Sequence, residues 1–104
     1  MAQFDVFENP NPASRKTIPF LLDVQSDLLD NLATRVVVPL ATVAAIPKPG
    51  RHLNPVFRIG ETKVVMSTAE IAGISVKNLG TKVSSLKEQR NEIVAALDFL
   101  ITGI

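Results

Sequence analysis

The chain has 104 residues, with eleven Lys and Arg against ten Asp and Glu, which gives a formal net charge of +1. Nucleic-acid-binding proteins normally carry a basic excess that neutralises phosphates, so this balance disfavours direct DNA binding. The absence of cysteine excludes disulfides, thiolate zinc sites and cysteine nucleophiles. The length predicts a single domain, residues 1–104, and the 46% apolar content predicts that a second chain covers some apolar surface.

Two features of the sequence bear on the cellular location of the protein. The start of the chain lacks the basic flank and long apolar run of a signal peptide. The longest uncharged stretch, Val36 to Pro47, contains two prolines and is too short to cross a bilayer. We therefore expect a soluble, cytoplasmic protein.

Short β-branched or apolar runs separated by turn signals fill the first two-thirds of the chain and predict antiparallel strands. The Asn-Pro-Asn-Pro run at 9–12 predicts an exposed loop between the first two strands. Gly60-Glu61, between two β-branched runs, is typical of a type II′ hairpin turn. The predicted strands are Gln3–Phe7, Ile18–Val24, Arg35–Leu40 with its end at Pro39, Pro55–Ile59, Thr62–Met66 and Gly73–Val76.

The apolar spacing changes near residue 85 and predicts one C-terminal helix. Ser85 and Glu88 have the spacing of a capping box, and from Leu86 the apolar residues recur at helical intervals. Gly103 occupies the position of a C-cap glycine. The final residues are almost wholly apolar, so the last turn either docks on the chain's own sheet or forms a binding surface; the pattern leaves both open.

Candidate catalytic groups are few. His52 is the only histidine and lies in a Pro/Gly/Arg loop, which favours a solvated side chain over a general base. Asp23, Asp27 and Asp30 could contribute to a Mg²⁺ site, although such residues commonly cap turns. No phosphate-binding glycine loop is present. We expect a binding protein without a cofactor or a catalytic residue.

Several segments, in order along the chain, resemble the CcdB toxin family. The most specific are the octapeptide Asp23–Asp30 and the terminal Gly103-Ile104 pair. Gln3-Phe4 matches at the start of the chain, and the segments that match after the octapeptide are Arg35–Ala41, Ile59-Gly60, Met66–Thr68 and the ending from Arg90–Ile93 to Gly103-Ile104. The resemblance implies a mostly β fold, in which antiparallel strands form an SH3-like barrel with a small additional sheet and one C-terminal α-helix.

The resemblance also implies a function. Members of the CcdB family are homodimeric toxins of toxin–antitoxin systems that bind the A subunit of DNA gyrase, trap the cleaved DNA and block its resealing. A CcdA-type antitoxin with a disordered tail releases them, and the Glu8–Lys16 loop is a candidate contact for it. Carried over to this sequence, the gyrase-binding residues are Leu28, Leu29, Asp98, Ile101, Thr102, Gly103 and Ile104.

Two other functions stay open at this point. An endoribonuclease toxin of the MazF/Kid kind resembles CcdB in fold, but it would need a cluster of basic and acid–base groups for RNA cleavage. The other is a housekeeping interaction domain without toxic action, which would need neither basic residues for RNA nor acid–base groups.

Overall fold

A computed structural model describes residues 1–104. The strands are β1 (Asp5–Glu8), β2 (Phe20–Asp23), β3 (Thr34–Thr42), β4 (Val56–Ile59), β5 (Thr62–Met66), β6 (Ala72–Ser75) and β7 (Lys82–Ser85), and the α-helix is α1 (Arg90–Thr102). Single 3₁₀ turns lie at Asp27–Leu29, Val43–Ala45, Thr68–Glu70, Val76–Asn78 and Lys87–Gln89.

All seven strands belong to one antiparallel sheet, in the order β4-β5-β3-β2-β1-β7, with β6 also paired to β3. The sheet curves into a half-closed barrel. The predicted small additional sheet is not separate, because the β4–β5 hairpin joins the same sheet through β3. The predicted mostly β fold with one C-terminal helix is confirmed.

Strand β3 is the centre of the sheet because it pairs with three other strands. Its first half pairs with β6, up to Val37 opposite Ala72, and its second half pairs with β5, from Leu40 opposite Met66. Along its other edge it pairs with β2.

The predicted end of this strand at Pro39 is wrong, because the strand continues to Thr42. The Pro39 carbonyl accepts the Ser67 N–H at 2.9 Å. Because the N–H and the C=O of one strand residue point to the same side, the N–H that proline lacks would also point to that side. There the pairing with β6 ends at Val37 and the pairing with β5 starts at Leu40, so the proline removes no hydrogen bond between strands.

The core lies between the concave face of the sheet and α1. Ile93 and Ala96 are the buried residues of the helix. They pack in a cluster with residues of strands β1 to β5 and with three residues outside the strands: Val6, Leu22, Val38, Leu40, Phe57, Ile59, Val64 and Met66, and then Phe4, Val24 and Leu86.

The first strand begins two residues later than predicted because Phe4 has a left-handed backbone, with φ of +71°. Its N–H donates to the Asp23 carbonyl at 2.6 Å, and its carbonyl accepts the Leu86 N–H at 2.8 Å. These bonds tie the start of the chain to the end of β2 and to the segment before the helix. A non-glycine residue in this conformation costs of the order of 1 kcal/mol, which burial of the Phe4 ring offsets.

The predicted capping box at Ser85 is also wrong. Ser85 is the last residue of β7, paired with Asp5, so its backbone is extended. Its hydroxyl accepts the N–H of Lys87 at 3.3 Å and caps the 3₁₀ turn that precedes α1. Strand β7 itself was not predicted from the sequence. Gly60, with φ of +61°, makes the expected hairpin turn, and Gly103, with φ of +75°, makes the expected C-cap.

Gly80 is required by a close approach of two backbone segments. A Cβ there would lie 2.5 Å from the Glu8 carbonyl oxygen. That oxygen already accepts the Gly80 N–H at 3.0 Å, so neither segment can move away without losing the bond. We expect Gly80→Ala to lower the free energy of unfolding by about 1–3 kcal/mol, measured by urea denaturation.

Gly73→Ala is the matched control, because a Cβ at Gly73 meets nothing within 4 Å. It should leave stability unchanged or raise it slightly. Equal urea midpoints for the two variants would contradict the steric explanation.

Candidate binding surface

A buried ion pair lies where β2 ends. Asp23 and Arg35 are both fully buried, and Nε of Arg35 donates to Oδ2 of Asp23 at 2.8 Å. Nη2 of Arg35 lies 2.7 Å from the same oxygen but makes no well-aligned hydrogen bond. Nη1 donates to Oδ1 of Asp30 at 2.9 Å, and the Asp30 side chain is largely exposed. The guanidinium therefore joins β3 both to β2 and to the loop that follows it.

Burial raises the pKa of Asp23 above its ordinary value of 3.8, although the Gln25 N–H and Arg35 act in the opposite direction. The native protein thus holds this proton more tightly than the unfolded chain does. As pH rises from 3.8 through the native pKa, the free energy of unfolding contributed by Asp23 therefore falls.

A carbon-detected NMR titration of the Asp23 carboxyl should accordingly give a midpoint above 3.8. The same titration of the urea-unfolded chain supplies the reference. A native midpoint at or below the unfolded one would contradict burial as the dominant influence.

The polar residues of the octapeptide hold the loop that follows Asp23. Gln25 donates from Nε2 to the Leu29 carbonyl at 2.9 Å and accepts the Val36 N–H at 3.0 Å. Ser26 Oγ accepts the Leu28 N–H at 3.2 Å, and Asp27 Oδ1 accepts the Gln3 N–H at 2.8 Å. Each of these side chains thus binds the protein's own backbone.

This scaffold turns two leucines outward. Leu28 is 93% exposed and Leu29 is 48% exposed, at the outer side of the 3₁₀ turn. Leu32, in the same loop, is also exposed. We name this set, Leu28, Leu29 and Leu32, the leucine loop. Large side chains held open to water in this way are typical of a protein-binding surface.

The three aspartates considered as magnesium ligands have other partners. Asp23 and Asp30 bind Arg35, and Asp27 accepts a backbone N–H. No group of three or more His, Asp or Glu side chains in the chain is placed to hold a metal ion. The carboxylates therefore organise the leucine loop.

The C-terminal turn of α1 does not dock on the sheet. Ala96 is the last fully buried residue of the helix, whereas Ile101 and Ile104 are 76% and 93% exposed. The Gly103 N–H donates to the Phe99 carbonyl at 2.9 Å, and Thr102 Oγ1 donates to the Asp98 carbonyl at 2.7 Å. The turn is thus a regular, capped helix end that presents apolar side chains to water.

The predicted site residues fall into two separate groups. Asp98, Ile101 and Thr102 share one helix face by their spacing, and Gly103 and Ile104 follow directly. We name these five residues the helix tail. Leu28 and Leu29 lie elsewhere: their loop is bound to Gln3, next to the start of the helix, where Arg90 lies over the Phe4 ring at 5.9 Å. The tail is about 18 Å farther along the helix axis.

The structure adds a residue that sequence analysis did not place at this surface. The His52 ring lies 5.8 Å from the Phe99 ring, at an angle of 53°. His52, Ala95, Phe99 and Ile104 line a cleft of about 300 Å³ beside the helix tail. No sequence signal joins a loop at residue 52 to a helix more than forty residues later, so only the fold could reveal this contact.

A larger groove, of about 650 Å³, lies on the other side of β3. Five residues of the Glu8–Lys16 loop line it, together with Lys77 and Asn78. Ile18, Leu21, Pro39 and Ile74 also line it. The loop is exposed but ordered, since Asn9 donates to the Ser14 hydroxyl and to the Ile18 carbonyl.

None of the helices is both long and apolar enough to cross a membrane.

Comparisons with known proteins agree with this description. One solved structure, described as an endoribonuclease in complex with its cognate antitoxin from mycobacterial species, is similar to this chain with a TM-score of 0.77. The match covers 97% of this chain and 94% of that one at 14% sequence identity, which is evidence for a shared fold only. The family described as CcdB protein matches residues 3–103. The chain therefore belongs to the CcdB family, which groups toxins of toxin–antitoxin systems.

Proposed function

We propose that this toxin binds the A subunit of DNA gyrase, holds the enzyme in the state with cleaved DNA and prevents resealing. It acts as a cytoplasmic homodimer, performs no chemistry itself, and is released by an antitoxin of the CcdA type. Leu28, Leu29, Asp98, Ile101, Thr102, Gly103 and Ile104 make the contacts with gyrase.

The observation that carries this proposal is the exposed helix tail. Burial of Ile101 and Ile104 would stabilise the monomer, but both side chains are exposed at a helix end that is capped and regular. Apolar side chains fixed in one geometry lose little entropy when they bind, and a few such anchors supply most of the affinity of an interface. A recognition surface explains this arrangement better than a structural role does.

A homodimer is supported by the amount of apolar surface that one chain leaves open. Ten large apolar side chains are exposed, and the leucine loop and the helix tail account for five of them. The others are Met1, Val43, Val56, Val83 and Phe99. A two-fold dimer would cover part of this surface and present each patch twice to a two-fold target.

The second candidate is an endoribonuclease of the MazF/Kid kind. The fold likeness to an endoribonuclease favours it, because the two kinds of toxin share one scaffold. The near-zero net charge speaks against it, since RNA binding depends on basic side chains. RNA cleavage is therefore the alternative that the functional assay must separate.

The antitoxin proposal has its own support. Binding of a disordered tail requires a long open groove, and the groove beside the Glu8–Lys16 loop combines apolar side chains with asparagine amides that can bind a peptide backbone. Lys77 at its rim would attract an acidic segment.

The deciding experiment is a cleavage-complex assay with purified toxin, gyrase, supercoiled DNA and ATP. Linear DNA that appears after detergent and protease treatment is the expected product. A parallel reaction with RNA instead of DNA tests the endoribonuclease. Intact DNA together with degraded RNA would replace the proposal by the second candidate, and neither product would favour an interaction domain without toxic action.

A further inference from the structure

The loop that carries His52 is firmly attached to the sheet. Asn54 Oδ1 accepts the Gly50 N–H at 2.8 Å, and Asn54 Nδ2 donates to the Met66 carbonyl at 3.0 Å. Thr68 Oγ1 donates to the Leu53 carbonyl. Residues 50–54 therefore form a closed turn fixed to the end of β5, and His52 projects from a platform that does not depend on the helix.

The platform contacts the helix at Phe99, whose carbonyl accepts the N–H of the C-cap residue Gly103. The Phe99 ring packs against His52. Ala95, Phe99 and Thr102 follow one another along the same row of the helix surface, four and three residues apart. The His52 contact thus borders the exposed face of the helix tail.

The last residues of the helix have few contacts outside it. Leu97 packs against the core and Leu100 is half-buried, but Ile101, Thr102, Gly103 and Ile104 are all exposed. The hydrogen bonds of these four residues are local to the helix end, where fraying begins. A lateral aromatic contact restricts this motion and keeps the tail in one orientation.

We propose that His52 is a positioning residue for target recognition: through Phe99 it holds the helix tail in the geometry that binds gyrase. The role in gyrase binding rests on the proposed function, whereas the orientation of the tail by His52 rests only on the contact with Phe99. His52 lowers the entropy that the tail loses on binding and so strengthens the complex without being its main contact.

The test compares His52→Ala, His52→Phe and Arg51→Ala in the full-length toxin. Two quantities are measured: binding to the purified gyrase A subunit by surface plasmon resonance, and amide exchange of Gly103 and Ile104 by NMR. Arg51 is the matched control, because it lies next to His52 and is exposed, with no side-chain hydrogen bond or ion pair. Phenylalanine keeps the aromatic contact and removes the titratable nitrogens.

We expect His52→Ala to weaken gyrase binding about tenfold and to speed Gly103 exchange, with unchanged exchange in the sheet. His52→Phe should restore both quantities, and Arg51→Ala should change neither. Wild-type binding and exchange in His52→Ala would overturn the inference, as would equal losses in His52→Phe. If the wild-type protein binds no gyrase, the proposed function fails instead, and Gly103 exchange alone decides whether His52 holds the tail.

Discussion

Replacement of Arg35 by Met is expected to lower the free energy of unfolding by about 3–5 kcal/mol. The substitution keeps a long side chain between β2 and β3 but leaves the Asp23 carboxylate buried without its counter-ion. An uncompensated charge in the interior is among the most destabilising changes that a protein can carry. The measurement is urea denaturation of the purified variant at pH 7.

Two further variants identify the cause. Asp30→Asn removes only the exposed partner of Arg35, so it should cost less than about 1 kcal/mol. Asp23→Leu combined with Arg35→Met removes both buried charges and should recover part of the loss. The single variant Asp23→Leu completes the comparison. If the double variant loses as much stability as Asp23→Leu and Arg35→Met lose together, packing and not the unpaired charge governs the effect.

Ile101→Glu in the helix tail is expected to weaken binding to the gyrase A subunit by at least about thirtyfold, and to abolish linear DNA in the cleavage assay. Ile101 is 76% exposed, so the same change should alter the free energy of unfolding by no more than about 0.5 kcal/mol. Deletion of Ile104, which is more exposed still, should act in the same direction.

Val56→Glu supplies the matched control for this prediction. Val56 is also an exposed apolar residue, but it lies on β4, in the hairpin, outside both the leucine loop and the helix tail. Size-exclusion chromatography of Val56→Glu comes first, because Val56 is among the exposed residues that a homodimer could cover. A dimeric Val56→Glu should retain full poisoning. Wild-type toxicity in Ile101→Glu, or an equal loss in a dimeric Val56→Glu, would contradict the assignment of the tail as the gyrase contact.

The fold class could be predicted because local signals were clear in most elements. The β5 strand, Thr62–Met66, was predicted with its observed bounds, and the Gly103 cap follows from a glycine at the end of an apolar helical repeat. Strand β7 carries a single large apolar residue, Val83, so no alternation marked it. Its pairing with β1 depends on the closure of the sheet, which local sequence does not encode.

The positions of the errors have a common physical explanation. A proline inside a strand and a left-handed phenylalanine are both locally unfavourable, and in each case distant segments allow them. Pro39 lies where the pairing of β3 changes from β6 to β5, and Phe4 is held by hydrogen bonds to Asp23 and Leu86. Long-range pairing overrides propensity at such positions.

The exposure of the candidate binding surface could be predicted in part. An apolar terminus and an aliphatic pair could be identified from the sequence, and both are exposed. The contact of His52 with Phe99 and the role of Arg35 in holding Asp30 required the fold, because each joins residues of different elements.

The polar side chains of the octapeptide hydrogen-bond within the protein, so folding and the proposed recognition depend on different residues. Gln25 and Asp27 form hydrogen bonds with the backbone of the toxin itself. The apolar residues that face outward contribute little to the packing of the core. Under the proposed assignment of Leu28, Ile101 and Ile104 as target contacts, substitutions there would change which protein is recognised, and they would alter stability little because the three side chains are exposed. A library randomised at these outward positions would retain a folded scaffold throughout and could be selected directly for new targets.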